Sequence, residues 1–488
     1  MKTALILFLV TISLGLICGD DKKDNEVGEN VICKKCNCDV KMKIIECSNK
    51  KLTKMFTVDE WAALNATKDD YEILKLDHNL LEDIDVPFPV LRFPLKVIDL
   101  RHNKIKKIIS KVFYNLSSIE EVDLSFNLMT ADNLRPDVFE GKYSPDEYEP
   151  LLTLKRLRLS YNLLTNLDSE IFEHTKHLQE LSLANNPFQI IHTSVLSAFT
   201  DTPQLQMLDM SRMELSSLPL DTFHPLKALK VLNLDGNLFK TFPEALKLAT
   251  NLRELSLNEN PIGDLSAENS IPELAKLEKL NMTYMGSLKV IGKGGLSGLE
   301  NLKEIRLSHN HHLSYIHPSA FTFPEKDNPE REQFPLVEKV FFEYNNLSSL
   351  DSHVLLWNNV KEIHLHDNPW LCDCDLQWFS DILMKTVKET TPHLIDHIKC
   401  AAPKKLVGLK LADLNTKHTE LRCLDKFGAN PELDSALLVA LLIGVLLGMP
   451  LAYASIMIYR RGCGSRRGPA DFSRAFYKRA DMNDDIHI

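Results

Sequence analysis

Leu74-Lys75-Leu76-Asp77-His78-Asn79 and, near the other end of the chain, Ile363-His364-Leu365-His366-Asp367-Asn368 are copies of one short phrase, LxLxxN. With Leu, Ile, Val or Phe in the apolar slots, the same phrase ends at Asn103, Asn127, Asn162, Asn186, Asn237, Asn260, Asn310 and Asn345. Two more copies, Leu208-Asp209-Met210 and Leu280-Asn281-Met282, put Met213 and Met285 in the Asn slot. Twelve units at a spacing of about 24 residues predict a solenoid, because a unit this short cannot bury an apolar face except against its neighbours.

The phrase has a physical cause. Side chains alternate across a strand, so the two apolar residues of each unit point to one side and the residue between them to the other. The Asn then reads as a buried post whose amide satisfies backbone groups of adjacent turns, since a buried amide needs partners. Methionine is a soft filler without that chemistry, so the turns holding Met213 and Met285 are expected to be looser or bent. This pattern is the leucine-rich repeat, and the fold class it predicts is an α/β solenoid, a leucine-rich repeat horseshoe of about twelve repeats.

Outside the repeats, Met1-Lys2-Thr3 precedes an apolar run from Ala4 to Ile17 and small Cys18-Gly19, which reads as a secretory signal peptide over 1–19. Ser435 to Tyr459 carries no charge. At about 1.5 Å per residue it reaches about 37 Å, enough to cross a hydrocarbon core of about 30 Å. Arg460, Arg461, Arg466 and Arg467 follow it and Glu432 and Asp434 precede it, so the positive-inside rule predicts a single-pass type I protein of the plasma membrane. The remaining divisions are an acidic linker (20–32), an N-terminal cysteine cap (33–52), the repeats (53–368), a C-terminal cysteine cap (369–424), a juxtamembrane linker (425–434), the transmembrane helix (435–459) and a cytoplasmic tail (460–488).

Charge and cysteine usage support an exported protein. The formal net charge is −10. The tail contributes +3 and Lys2 one more, which leaves the mature ectodomain near −14 and gives no basic footprint for nucleic acid. Cys33, Cys36, Cys38 and Cys47 stand just before the repeats and Cys372, Cys374, Cys400 and Cys423 just after, with none between. In an oxidising compartment these are disulfides. They sit where a solenoid needs caps, in modules too small to be stable on core burial alone. Zinc is the rival reading for CxxCxC. Sequence alone permits three pairings within each set of four.

Asn368-Pro369-Trp370-Leu371-Cys372-Asp373-Cys374 resembles the start of the C-terminal flanking cap of extracellular leucine-rich repeat membrane proteins, and Cys33 to Cys47 is similar to their N-terminal cap. The resemblance covers most of the chain from Cys33 to Cys423. It implies the pairs Cys33–Cys38, Cys36–Cys47, Cys372–Cys400 and Cys374–Cys423, and a role in binding protein ligands outside the cell.

Candidate contact residues come from the polar columns of the repeats, which are expected to face the concave surface. The position just before the Asn holds His78, His102, Phe126, Tyr161, Asn185, Arg212, Gly236, Glu259, Tyr284, His309, Tyr344 and Asp367. The C-terminal third is aromatic and histidine-rich, and exposed aromatics on a rigid face are the usual anchors. Tyr284, His309, Phe341, Tyr344, His364 and His366 are therefore the candidate ligand contacts, against the alternative that they pack on one another. His364 and His366 beside Glu343 raise a metal reading that needs three placed ligands, and none is assigned. Two units, Asn127–Asn162 and Asn310–Asn345, are roughly half as long again as the rest, and such inserts often map to a binding face. The first holds Tyr148 among Asp146, Glu147 and Glu149, a context resembling tyrosine sulfation.

Four sequons, at Asn65, Asn115, Asn281 and Asn346, are expected glycosylation sites. A glycan on Asn281 would divide the concave face. Gly444 and Gly448 form a GxxxG step suited to helix dimerisation. Cys463 beside inner-leaflet basic residues suits palmitoylation. Ile486 and Ile488 at the terminus are similar to a PDZ ligand, so a PDZ-domain or adaptor protein is an expected tail partner. A tail this short cannot form an enzyme domain. No catalytic spacing or cofactor motif is read. The sequence points to a cell-surface receptor, co-receptor or adhesion protein, with innate immune recognition or membrane scaffolding as the alternatives.

Overall fold

The computed structural model describes residues 31–143, 148–149, 151–325, 327–328, 330–416, 420–424 and 431–463. The expected signal peptide, nearly all of the 20–32 linker, Asp146 and Glu147 of the first insert, and Ile486 and Ile488 in the tail lie outside these residues. The chain divides into two compact units, 1–419 and 420–488.

The first unit is the solenoid that the LxLxxN phrase predicts. Its main sheet has 14 strands in sequence order. The two strands of the N-terminal cap, Asn37–Asp39 and Ile44–Glu46, run antiparallel, and the twelve repeat strands follow in parallel. Registers align the first apolar residue of every phrase into one column, from Leu74 beside Ile98 to Val340 beside Ile363. That column and the second apolar column are almost wholly buried, with Leu74, Ile98, Leu100 and Leu124 all at 0 % exposure. Period-two alternation therefore sends the intervening residues outward, onto the face that remains available to a ligand.

The asparagines do what a buried amide requires. Asn127 Nδ2 donates to the carbonyls of Leu100 (3.1 Å), Leu124 (3.0 Å) and Ser125 (3.1 Å), and its Oδ1 accepts from Ile105 N (3.0 Å). Each such residue ties its own turn to the one before it. Where methionine replaces asparagine, the expected loosening is not what the structure has. Met213 and Met285 are fully buried, and the strands on either side keep an unshifted register. At Met213 the backbone rewires instead: Gln189 N donates to the Met213 carbonyl (2.9 Å), and Phe188 N turns to Asn186 O (2.9 Å).

Both ends are closed by aromatic caps. At the N-terminal end, just after the cap, the helix Val58–Asn65 is started by a reciprocal capping box between Thr57 and Glu60 and buries Trp61 against Phe56 and Phe88. Disulfides join Cys33 to Cys38 and Cys36 to Cys47. In the C-terminal cap, Trp370 donates from Nε1 to Leu365 O (3.1 Å), packs on Phe379, and stands beside the Cys372–Cys400 disulfide. Cys374 is disulfide-bonded as well. The long units each add a two-stranded antiparallel hairpin, Lys142–Tyr143 with Tyr148–Glu149 and Phe323–Pro324 with Glu332–Gln333. These are tied to turn segments, through Gly141 N to His174 Nδ1 (3.1 Å) and Lys293 to Glu332 (3.6 Å).

The second unit contains the helix Pro431–Cys463, within which Ser435–Arg461 is long and apolar enough to cross a membrane. Pro450 lies inside it.

Candidate ligand-binding face

The residue just before each asparagine is not on the flat of the sheet. From His78 to Asp367 the eleven non-glycine members of this column have φ between 53° and 59°, and Gly236 has 64°. A left-handed residue at the strand end turns the chain out of the sheet, so this column forms its rim. Left-handed φ costs an L residue roughly 1–2 kcal/mol, and the ring stacking that the turn permits offsets part of it.

Two aromatic ladders result. In the first, ring centroids are 4.4 Å apart for His78–His102, 4.1 Å for His102–Phe126 and 4.0 Å for Phe126–Tyr161, all stacked. The second runs Tyr284–His309 (4.6 Å) and His309–Tyr344 (4.5 Å), and ends edge-on at His366 (5.2 Å). Between them the rim is polar. Arg212 lies across Gly236 and pairs with Glu259 at 2.6 Å, and a Cβ on Gly236 would stand 2.7 Å from Arg212 Cγ. The first ladder is absent from the candidate contacts read from sequence, although its four residues stand in the column before the asparagines. The signal is aromatic type at a fixed phase over consecutive repeats, which becomes a stack only when register is known. Beside it, Phe126, Tyr161, Leu128 and Leu163 line an open groove with Asn185.

The six sequence candidates fall into three groups. Tyr284 and Tyr344 are exposed, 53 % and 40 %. His309 and His364 are half-buried, His309 between the two tyrosines and His364 against Phe341 (4.6 Å). Phe341 and His366 are buried, 5 % and 8 % exposed, so as they stand they present no open surface. The cause is local packing: the Arg306 guanidinium covers the Phe341 ring at 3.8 Å, and Tyr344 stands edge-on to His366.

Burial sets the electrostatics. It lowers the proton affinity of His366 against the opposing pull of Glu343 and Asp367, and it lowers that of His102 together with His78 and Arg101. Asp367 in turn raises the Tyr344 phenol. Burial raises Asp99 on the sheet face, where Asp77 and Asp123 add like charge. Among the described residues no group of three or more His, Cys, Asp or Glu side chains is placed to hold a metal ion.

The sequons differ in surroundings. Asn346 is exposed. Asn65 Nδ2 donates to Val90 O (2.8 Å) and Asn115 Nδ2 to Phe88 O (2.9 Å). Asn281 sits mid-sheet between Ser256 and Arg306 with a buried, unpaired Oδ1.

A family model described as leucine rich repeat matches residues 72–129, 153–212 and 195–239. Mouse Tsukushi is 27 % identical over 263 residues, 52 % of this chain and 68 % of its own length. Mouse CD180 antigen is 27 % identical over 54 % of this chain, and mouse lumican 26 % over 40 %. The match spans 39 % of CD180 antigen and 60 % of lumican. Among solved structures, the Drosophila Toll–Spatzle complex aligns with a TM-score of 0.42 at 20 % identity, over 74 % of this chain and 59 % of that one. A leucine-rich repeat protein of Leptospira interrogans aligns at 0.44 and 21 %, over 70 % and 80 %.

Proposed function

We propose that this leucine-rich repeat protein is a single-pass type I cell-surface receptor, co-receptor or adhesion protein that binds a secreted or membrane protein ligand on its sheet face. The observation that carries the reading is the rim. Tyr284 and Tyr344 stand exposed on a scaffold held by a continuous parallel register, and rigid, exposed aromatics are the residues that most often anchor protein partners. The C-terminal patch of Tyr284, His309, Tyr344 and His364 is the proposed contact, with Phe341 and His366 beneath it. The order of caps, apolar helix and following basic residues is similar to that of trophoblast glycoprotein, which favours the co-receptor role.

The remaining assignments belong to the same proposal. N-glycans occupy Asn346, Asn65, Asn115 and Asn281. A side chain added at Gly444 or Gly448 meets nothing within 4 Å, so that helix face is open to a second copy. Cys463 is a palmitoylation site, and Ile486 and Ile488 recruit a PDZ-domain or adaptor protein. The test is a screen of the soluble Asp20–Glu432 fragment against secreted and cell-surface proteins, with Tyr284→Ala and Tyr344→Ala as probes. A protein ligand whose affinity falls about tenfold or more with either change supports the reading. Ligands indifferent to both, or microbial glycans in place of proteins, overturn it.

A further inference from the structure

Two polar atoms at the C-terminal end of the sheet face are buried and have no hydrogen-bond partner: Glu343 Oε2 and His366 Nδ1. They belong to neighbouring turns, since Tyr344 N donates to the His366 carbonyl (3.2 Å). The His366 side chain is enclosed, and burial holds it neutral against the pull of Glu343 and Asp367. Its Nε2 lies 4.0 Å from Asp367 Oδ2, beyond hydrogen-bond reach, and in the tautomer that carries the proton on Nε2 the Nδ1 is an acceptor. Two unpaired acceptors side by side are unusual, because each buried polar atom without a partner costs about 1–3 kcal/mol.

The cations nearby are committed elsewhere. Arg306 is bound by Glu304 at 2.6 Å and lies on Phe341, and Lys339 is bound by Glu362 at 3.1 Å. Among the described residues Glu343 enters no salt bridge, and no three-ligand metal cluster forms around it. What the pair lacks is a donor carrying positive charge. The rim above it carries the exposed Tyr344 ring, whose π face suits a cation. The acidic ectodomain steers such a ligand in.

We propose that Glu343 and His366 form a recognition subsite for one basic side chain, an arginine guanidinium or a lysine ammonium, of the protein ligand. The proposal rests on the reading of this face as the protein-binding surface. Glu343 is half-buried and gives the site its opening, and Tyr344, edge-on to His366, packs against the group's apolar stem.

Saturation-transfer NMR on the full-length protein in lipid nanodiscs tests this with three capped tripeptides: Gly-Arg-Gly, Gly-Lys-Gly and the neutral isostere Gly-citrulline-Gly. The arginine and lysine peptides are expected to bind at least about tenfold tighter than the citrulline peptide, and Glu343→Gln to remove that preference. Glu343→Gln is also expected to raise the melting temperature, because it replaces a carboxylate whose Oε2 is buried without a partner, whereas a merely structural glutamate would lower it on substitution. Glu72→Gln, at a carboxylate paired with Lys43 and Lys96 near the N-terminal end of the sheet, is the control and leaves the preference intact. If Glu343→Gln fails to fold, His366→Phe carries the test and weakens arginine binding to a similar degree. Equal binding of arginine and citrulline peptides, or a preference that survives both variants, overturns the subsite. A protein ligand sensitive to Tyr284→Ala but not to Glu343→Gln would leave the receptor reading standing and remove only this inference.

Discussion

At the scale of single residues, the protein relies on amides and rings repeated at fixed phase. Asn127 makes four hydrogen bonds that no other side chain of its size reproduces. Asn127→Ala orphans several buried backbone groups at once and is expected to cost about 2–3 kcal/mol in chemical denaturation. Asn346→Ala, at the surface, should stay within about 0.5 kcal/mol of wild type. The histidines of the ladders give a second prediction. His102 and His366 are held below the ordinary value of 6.5 by burial. The unfolded chain therefore takes up more protons than the folded one between the folded value and 6.5. The stability these residues contribute is complete above 6.5 and is lost as pH falls through the folded value. Melting temperature is expected to fall between pH 7.5 and 5.5, and His102→Phe, which keeps a ring between His78 and Phe126, should flatten that slope. A slope unchanged in His102→Phe would place the titration elsewhere.

At the scale of the repeat, turns pack backbone against backbone. A Cβ on Gly298 would meet Pro272 O at 2.7 Å and Glu273 Cα at 2.8 Å, both main-chain atoms that cannot step aside. Gly298→Ala is expected to destabilise by about 1–3 kcal/mol, read as a lower denaturant midpoint, by forcing adjacent turns apart. Gly236 is tight for a different reason: its obstacle is the flexible Arg212 side chain, so its main cost is the left-handed φ. The repeat phrase made strands, core columns and the asparagine post legible in advance. It did not make the rim legible, because the turn that lifts His78 or Tyr284 out of the sheet is a backbone angle that residue type only weakly prefers. The methionine turns show the same limit. A missing amide was visible at Met213, but its replacement by rewired main-chain bonds depends on neighbours in space.

At the scale of the molecule, the solenoid has a built end at each side of the sheet. Removing the Cys372–Cys400 link with Cys372→Ser and Cys400→Ser frees a loop next to Trp370, the residue that seals the last repeat. The double variant is expected to lose about 2–4 kcal/mol. Trp fluorescence should report its unfolding first, at the C-terminal end, because in a repeat array stability is a sum of local and nearest-neighbour contributions. A transition with the wild-type midpoint would show the cap to be dispensable.

The sequence by itself determined the solenoid, its repeat number, its cysteine-rich ends and the long apolar segment from Ser435. Each of these is a matter of period or composition, and a period survives in one dimension. The tertiary structure decided which candidates can touch a ligand. Phe341 and His366 read as anchors by type and column, yet the side chains of Arg306 and Tyr344 cover them. His78, His102, Phe126 and Tyr161 became a ladder because parallel register brings residues a full repeat apart to stacking distance. Exposure and pairing depend on what lies across the strand, and for each residue of this sheet that neighbour is one whole turn away in sequence.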